Sequence, residues 1–233
     1  MKFSESWLRS FVNPSLSGEA LSHLLTMAGL EVEEEETVAP AFNDVIVAQV
    51  LEVVKHPDAD RLNVCKVDIG TGTPQQIVCG APNVAAGLKV PCALPGARLP
   101  GDFTIKVAKV RGIESSGMLC SAKELGTAED ASGLLILPVA ATVGQSIRQY
   151  LDLDDRLLTL KLTPNRADCL SLTGIAREVS ALTGTPATYV NVADVPVTGG
   201  ATREIVLDAP AACPRYCGRI VTGVNAKAPT PEW

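Results

Sequence analysis

The stretch VAKVRGIESSGMLCSAKELG, residues 107–126, indicates most clearly how the middle of this chain folds. It begins as an alternating strand, in which Lys106, Lys109 and Arg111 bring three cations close together. Gly112 then predicts a turn, and a compact polar segment rich in glycine follows. Such a strand can present cations to phosphates. The alternative is a barrel strand whose solvent-facing side is simply charged.

Hydroxyl groups accompany these cations. Hydroxyls and backbone N–H groups add short-range hydrogen bonds to a phosphodiester backbone that cations already attract. The candidates in the segment are Ser115, Ser116 and Ser121, with Lys123 as a further cation.

The composition indicates an ordinary globular protein. At 233 residues, with 46% hydrophobic and 20% charged residues, the chain can bury one large or two modest cores. Aromatic residues make up only 4%, so Val, Leu, Ile and Ala must build those cores. No apolar run approaches the ~20 residues of a membrane span, and the N-terminus lacks the apolar centre of a signal peptide. We therefore expect a cytoplasmic protein with no membrane contact.

The seven cysteines are odd in number and lie scattered in apolar stretches. Three residues separate Cys213 from Cys217, and no second close pair completes a zinc site. We interpret the cysteines as reduced, mostly buried cytoplasmic thiols.

The net charge of −6 is unevenly distributed. Residues 1–39 carry two positive and seven negative charges, residues 40–150 carry ten of each, and residues 151–233 carry eight and nine. Between Lys89 and Lys123, six positive residues stand against two negative ones, a local charge of +4. Because salt screens exposed charges beyond about 10 Å, this middle segment is the surface best suited to a polyanion.

Residues 40–150 have the pattern of a small β-barrel. Short apolar or alternating runs are separated by Gly and Pro turns, and few helical periods interrupt them. The predicted strands are 45–54, 62–68, 76–79, 89–94 and 103–110, and residues 134–137 finish the module. Pro91 indicates that the fourth strand lies at an edge or a bulge.

The flanks predict one helix on each side of the barrel. Ser17 begins a helix over 17–28 that Gly29 ends, and Ser171 begins a helix over 171–182 that ends at Gly184-Thr-Pro. Neither helix can bury its apolar face alone, so we expect the flanks to pack as one split α/β domain with the barrel inserted. Between them and the barrel, the run of glutamates at 33–36 indicates a solvated edge or linker.

The predicted fold class is therefore α+β, with four parts. A split α/β domain comprises residues 1–39 and 151–190, and a five-stranded OB-fold barrel comprises residues 40–150. A linker covers 191–202. Residues 203–233, with strand candidates at 205–207 and 216–224, would be the truncated start of a further domain.

Catalytic groups do not converge in this sequence. The loop that contains His56, Asp58 and Asp60 is better explained as a turn, and His23 as a surface or packed histidine. Asp152, Asp154 and Asp155 lack the glycine and the distal glutamate of a calcium loop.

The barrel offers polar groups where such folds bind oligonucleotides, on the second and third strands and the adjoining loops. Arg61, Asn63 and Lys66 lie on or beside the second strand, and Asn83 follows the third. Stacking aromatic residues are scarce, so binding should favour the shape and backbone of a folded RNA over unstacked bases.

Three runs resemble the tRNA-binding barrel that is appended to several synthetases: HPDADRLNVCKVD at 56–68, IVCGAPNV at 77–84 and KVRGIESSGMLCS at 109–121. The flanks resemble bacterial phenylalanine–tRNA ligase β subunits, through MKFSESWL at 1–8, LTPNRADCLS at 162–171, GIAREV at 174–179 and PRY at 214–216. The resemblance covers essentially the whole chain.

The resemblance implies an α2β2 enzyme that joins phenylalanine to tRNA(Phe) with ATP and magnesium. In that family the aminoacylation site lies on the α subunit, and the proofreading pocket and magnesium-binding residues of the β subunit lie beyond residue 233. This fragment is then expected to be non-catalytic and to hold no cofactor or metal. The residues that we expect to contact RNA are Arg61, Lys66, Asn83, Lys106, Lys109, Arg111, Ser115, Ser121 and Lys123. The alternative is a barrel that serves mainly as a structural or subunit-docking module.

Overall fold

The structure is a computed structural model that describes residues 1–228 and 230. Residues 1–189 form one compact unit, and a second unit begins at Val190. The strands of the first unit are β1 Lys2–Ser4, β2 Glu31–Thr37, β3 Val45–Lys55, β4 Asn63–Asp68, β5 Gln75–Cys79, β6 Lys89–Ala93, β7 Arg98–Leu99, β8 Phe103–Thr104, β9 Ala108–Val110, β10 Ile113–Ser115, β11 Met118–Leu119 and β12 Arg156–Lys161. Its helices are α1 Glu5–Phe11, α2 Gly18–Met27, α3 Ile147–Tyr150 and α4 Leu172–Thr183, with a 3₁₀ helix at Pro164–Cys169.

Five antiparallel strands form a nearly closed barrel in the order β11-β6-β3-β4-β5. Alternation along these strands sends every second side chain inward, so Val47, Cys65, Ile77 and Val90 are buried. The inward side chains pack into two adjoining apolar clusters. The first four strands lie where the sequence predicts them.

The fifth predicted strand, 103–110, is wrong. Ile105 leaves the strand path to exchange backbone hydrogen bonds with Gly96 and Ala97, which separates β8 from β9. The fifth barrel strand is instead the two-residue β11, which pairs with β6.

Pro91 does not lie on an edge strand as its presence suggested, because β6 lies between β3 and β11. The carbonyl of Pro91 accepts a hydrogen bond from Cys120, one residue beyond β11. The missing N–H of Pro91 therefore faces the side where β11 ends, and the β3 ladder loses no bond there.

A second layer, which we call the flanking layer, combines both ends of the first unit. In it β12 lies between β1 and β2, with Phe3 opposite Leu158. Helices α1, α2 and α4 contribute to its core, which contains Leu8, Leu21 and Ile175. The glutamate run forms the edge strand β2, and its exposed carboxylates hinder pairing with another chain.

Both predicted helices of the flanking layer are confirmed. The Ser17 hydroxyl accepts from the N–H of Ala20 to begin α2, and the Ser171 hydroxyl accepts from the N–H of Gly174 to begin α4. Gly184 ends α4 in the left-handed conformation, with a φ of 70°.

The strand candidates at 205–207 and 216–224 are not strands. Ile205, Val206, Tyr216 and Val221 are exposed, and a strand requires a ladder partner that the described residues do not supply. Among residues 1–228 and 230, no helix is both long and apolar enough to cross a membrane.

Arg148 joins the two segments in which the chain passes between the barrel and the flanking layer. Its guanidinium donates to the carbonyl oxygens of Pro40 (2.9 Å) and Leu153 (3.2 Å) and to Asp154 (2.6 Å). It also lies over the ring of Phe42, 4.8 Å from the centroid. One side chain thus contacts both the chain entering the barrel and the chain leaving it.

We expect Arg148→Ala to lower the free energy of unfolding by about 2 kcal/mol, since it removes charge-assisted hydrogen bonds to two carbonyls. Arg98→Ala is the matched control, because the Arg98 side chain is exposed and the structure describes no hydrogen bond from it. Urea unfolding of both variants measures the difference. Equal midpoints would show that Arg148 is not a fastening residue.

Candidate nucleic-acid interface

Strands β9 and β10 form a hairpin that presents two of the predicted cations, Lys109 and Arg111. Val110 pairs with Ile113, so Arg111 and Gly112 alone make the turn. Their φ values, 49° and 86°, are both positive, as a two-residue type I′ hairpin turn requires. Arg111 therefore holds a left-handed conformation that costs a residue with a side chain roughly 1–2 kcal/mol. The turn places its guanidinium at the exposed tip of the hairpin.

The hairpin lies beside the edge of β5. The Gln76 side-chain amide donates to the carbonyl of Glu114 (2.8 Å), and the N–H of Ser116 donates to the carbonyl of Gln76 (2.8 Å). Gln76 is also the cross-strand neighbour of Lys66 on the outward face of the barrel. The hairpin and the β4–β5 face are therefore parts of one continuous surface.

The predicted cations are all exposed. Lys106, Lys109 and Arg111 have no ion-pair partner among the described residues. Lys66 is paired with Glu52 at 2.7 Å, and Lys123 lies 3.9 Å from a fully exposed Glu129. Surface pairs of this kind contribute little, so a phosphate can compete for either lysine.

Arg61 lies exposed in the loop of residues 56–62, between β3 and β4. The loop is closed at its neck, where the N–H of His56 donates to the carbonyl of Leu62 (3.1 Å). The His56 ring is buried. Its Nδ1 accepts from the N–H of Asp58 (3.1 Å), and its Nε2 lies 3.2 Å from the carbonyl of Val110 on β9. The predicted turn is present, but its contact with the hairpin was not foreseen from the sequence.

Three predicted RNA contacts have internal partners instead. Asn83 is bonded in both directions to the backbone of Leu134, at 2.8 and 3.0 Å. The buried Ser115 hydroxyl accepts from the N–H of Val78 and donates to the carbonyl of Gly117. The buried Ser121 hydroxyl donates to Glu124 (2.8 Å). These groups stabilise the barrel, and we exclude them from the proposed RNA surface.

Two basic residues of the segment from Lys89 to Lys123 were not singled out as RNA contacts by sequence reasoning. Lys89 is bound to the barrel, because its ammonium donates to the carbonyls of Val139 and Ala141, both at 2.5 Å. Arg98 is exposed on β7 and was counted only in the local charge. Position in the sequence alone does not distinguish these two roles.

Lys123 borders a cleft of about 450 Å³ between the end of β5, β11 and residues 131–134. Its walls are mostly apolar, including Met118 and Leu134, and Glu124 lies at its edge. Two further carboxylates, Glu129 and Asp130, belong to the same loop and make it acidic. The interior of the cleft is therefore poorly suited to phosphate, whereas the Lys123 side chain at its border is exposed to solvent.

One acidic cluster has the composition of a metal site. Asp168, Cys169 and Glu178 bring their ligand atoms within 4.8 Å of one another. The guanidinium of Arg166 lies among them, 3.2 Å from Asp168 and 2.8 Å from Glu178. Its hydrogen bonds lower the pKa of Asp168. The arginine already supplies the positive charge that a metal would bring.

Of the other candidate carboxylates, Asp152 is exposed, and Asp154 and Asp155 have protein partners. Asp155 accepts hydrogen bonds from Ser4 and Ser6, and Asp154 pairs with Arg148. They do not form a cation site.

The barrel thiols are inert. Cys65 and Cys92 are fully buried, and burial raises their pKa values to about 11 and about 12. Thiolate is the reactive form, so neither group reacts readily at neutral pH. The described structure has no disulfide, and Cys213 and Cys217 are exposed.

Comparison with known proteins agrees with this geometry. Residues 45–146 match the family model "Putative tRNA binding domain". Across all 233 residues the chain is 75% identical to the phenylalanine–tRNA ligase β subunit of Dechloromonas aromatica and covers 29% of that protein. It is 63% identical to the corresponding subunit of Chromobacterium violaceum and covers 30% of it. The chain spans about three tenths of the length of these relatives.

A solved structure described as a MetRS-related protein from Pyrococcus horikoshii aligns with 44% of this chain and with 87% of its own chain. The sequence identity is 24% and the TM-score is 0.34. A TM-score of 0.34 is too low to support an argument about fold. Along its whole length the chain is similar to phenylalanine–tRNA ligase β subunits, of which it spans about three tenths.

Proposed function

We propose that this chain is the auxiliary tRNA-binding part of a phenylalanine–tRNA ligase β subunit. Its barrel holds folded tRNA by the phosphate backbone, through Lys106, Lys109 and Arg111, with Lys123, Arg61 and Lys66 as further contacts. The supporting observation is the hairpin, whose exposed cations have no ion-pair partner within residues 1–228 and 230, in a region that matches the tRNA-binding domain model. Backbone contacts position an RNA without reading its bases.

The barrel should bind weakly when separated from the enzyme. Residues 40–150 carry equal numbers of positive and negative charges, and Lys66 is already paired. Its exposed aromatic surface is small, with Phe103 at 56% exposure. We expect micromolar affinity, similar for tRNA(Phe) and an unrelated tRNA, so the choice of tRNA belongs to other parts of the enzyme.

The whole enzyme would join phenylalanine to tRNA(Phe) in the cytoplasm, using ATP and magnesium, in an α2β2 assembly with its α subunit. The described residues do not fit magnesium, because their one candidate cluster already contains the Arg166 guanidinium. We assign this fragment no catalytic step. Its domains would be the split domain of residues 1–39 and 151–190 and the inserted OB-fold of residues 40–150. A linker at 191–202 would then lead to the start of the next domain at 203–233.

The test is a salt titration of tRNA binding. Lys109→Ala should lower the slope of log affinity against log salt by about 0.7–0.9, because one phosphate contact is lost. At 0.1 M salt this corresponds to a loss of about five- to eightfold in affinity. Fluorescence anisotropy with labelled tRNA measures both quantities.

Lys161→Ala is the matched control, since Lys161 is an exposed lysine on β12 of the flanking layer. Its slope should equal that of the wild type. An unchanged slope for Lys109→Ala would remove that residue from the surface. Absence of binding by the wild type at low salt would contradict the proposal and favour a structural or subunit-docking barrel.

A further inference from the structure

The cations of the proposed surface lie on two segments that are far apart in sequence. Arg61 belongs to the loop of residues 56–62, and Lys109 and Arg111 belong to the β9–β10 hairpin. Phosphates in a folded RNA have fixed spacings, so these cations can act together only when the two segments hold a fixed relative position. His56 is the residue that contacts both.

The hydrogen bonds of His56 determine which ring nitrogen carries the proton. Nδ1 accepts from the backbone N–H of Asp58, so it is unprotonated. Nε2 therefore carries the hydrogen and donates to the carbonyl of Val110, 54 positions away in sequence. One bond shapes the loop, and the other joins the loop to the hairpin.

The two strands of the hairpin are anchored unequally. Strand β10 and the residue after it are held to β5 by three hydrogen bonds. The Gln76 side chain donates to the carbonyl of Glu114, the N–H of Val78 donates to the Ser115 hydroxyl, and the N–H of Ser116 donates to the carbonyl of Gln76. Strand β9 pairs with β10. Within residues 1–228 and 230, the bond from His56 is the one hydrogen bond described between β9 and a residue outside the hairpin. Loss of this bond would leave β9 and the turn held by the pairing with β10 alone, while β10 keeps its bonds to β5.

We propose that His56 is a positioning residue, which fixes the cationic hairpin against the Arg61 loop so that both contact the same RNA. This role rests on the proposed function, because it supposes that the cations bind phosphates. His56 itself is buried, so its ring is not accessible to RNA.

Two substitutions separate the two bonds. In His56→Asn, the shorter amide can still accept from the N–H two residues on, as asparagine commonly does in turns, but it does not reach Val110. In His56→Gln, the longer side chain can place an amide N–H near the position of Nε2 and restore the bond to the Val110 carbonyl. The first variant keeps the loop and loses the link, and the second restores the link.

We expect His56→Asn to lose at least about fivefold in tRNA affinity at 0.1 M salt and to lower the salt slope by at least about 0.7, equivalent to one phosphate contact. His56→Gln should retain the affinity and slope of the wild type. Circular dichroism should show an intact fold in both variants. Equal losses in the two variants, or wild-type binding by His56→Asn, would overturn the proposal.

Limited trypsin digestion gives a measurement without RNA. Cleavage after Lys109 and Arg111 should be faster in His56→Asn than in His56→Gln or the wild type, because the freed strand opens more often. Equal cleavage rates would show that His56 does not hold the hairpin. If cleavage differs but the wild type shows no salt-dependent tRNA binding, the link is present and it is the proposed function that fails.

Discussion

Replacement of Gly174 by alanine should destabilise the flanking layer by about 4 kcal/mol or more, a large part of the 5–15 kcal/mol that typically holds a domain folded. This loss of stability is the opposite of the usual effect of replacing glycine by alanine within a helix. Alanine favours a helix over glycine by about 1 kcal/mol, and Gly174 lies within α4. Helix propensity alone would predict a more stable protein.

The reason lies in the preceding 3₁₀ helix. A Cβ atom on Gly174 would lie 1.9 Å from the carbonyl oxygen of Asp168 and 3.1 Å from the Cα of Cys169. Both are backbone atoms, so no side-chain rotation relieves the overlap. Arg166 also holds this turn against α4 through Glu178. The start of α4 must therefore move away from the 3₁₀ helix, and the core beneath it must open.

Thr173→Ala is the matched control, because it makes a small change in the same turn without that overlap. Site-resolved maleimide labelling gives a local measurement. Cys169 lies in the core of the flanking layer and Cys92 in the barrel, and both are fully buried. In Gly174→Ala, Cys169 should label quickly while Cys92 stays protected. Labelling at the control rate for Cys169 would contradict the steric argument.

The parts of the fold that depend on local chemistry were predictable from the sequence. Ser17 and Ser171 begin the helices that they were predicted to begin, because a cap needs only the next three residues. The first four barrel strands follow from alternation and turns. Arg111 and Lys109 are exposed as expected, since charged side chains are rarely buried without a partner.

The parts that depend on distant contacts were not predictable. Strand β11 has only two residues and exists because β6 pairs with it. The Ser115 hydroxyl is suited to bind RNA or protein, and its partner Val78 is 37 positions away. The same holds for His56, whose loop was predicted correctly but whose partner Val110 lies on another element. Sequence spacing carries no signal for such pairs.

Gly117→Ala should destabilise the barrel by about 4 kcal/mol, because the position combines backbone strain with a steric overlap. Gly117 has a φ of 143°, which residues with a side chain rarely adopt. An added Cβ would lie 2.8 Å from the carbonyl oxygen of Ala93, the residue of β6 opposite Met118. Relief of this contact would move β11 away from β6. Because both residues of β11 pair with β6, the shift would break the whole pairing. The barrel would then lose its fifth strand.

Gly101→Ala separates the two contributions. Gly101 also has a positive φ, 78°, but nothing lies within 4 Å of its added Cβ, so strain alone should cost roughly 1–2 kcal/mol. In Gly117→Ala the labelling pattern should be the opposite of that in Gly174→Ala, with Cys92 and Cys120 reactive and Cys169 protected. Equal free energies of unfolding for the Gly117 and Gly101 variants would show that the overlap is relieved without loss of β11. Simultaneous labelling of all three thiols would show that barrel and flanking layer unfold together. Opposite patterns would show that each has a core of its own, which allows the cationic surface to be tested in a barrel whose flanking layer is damaged.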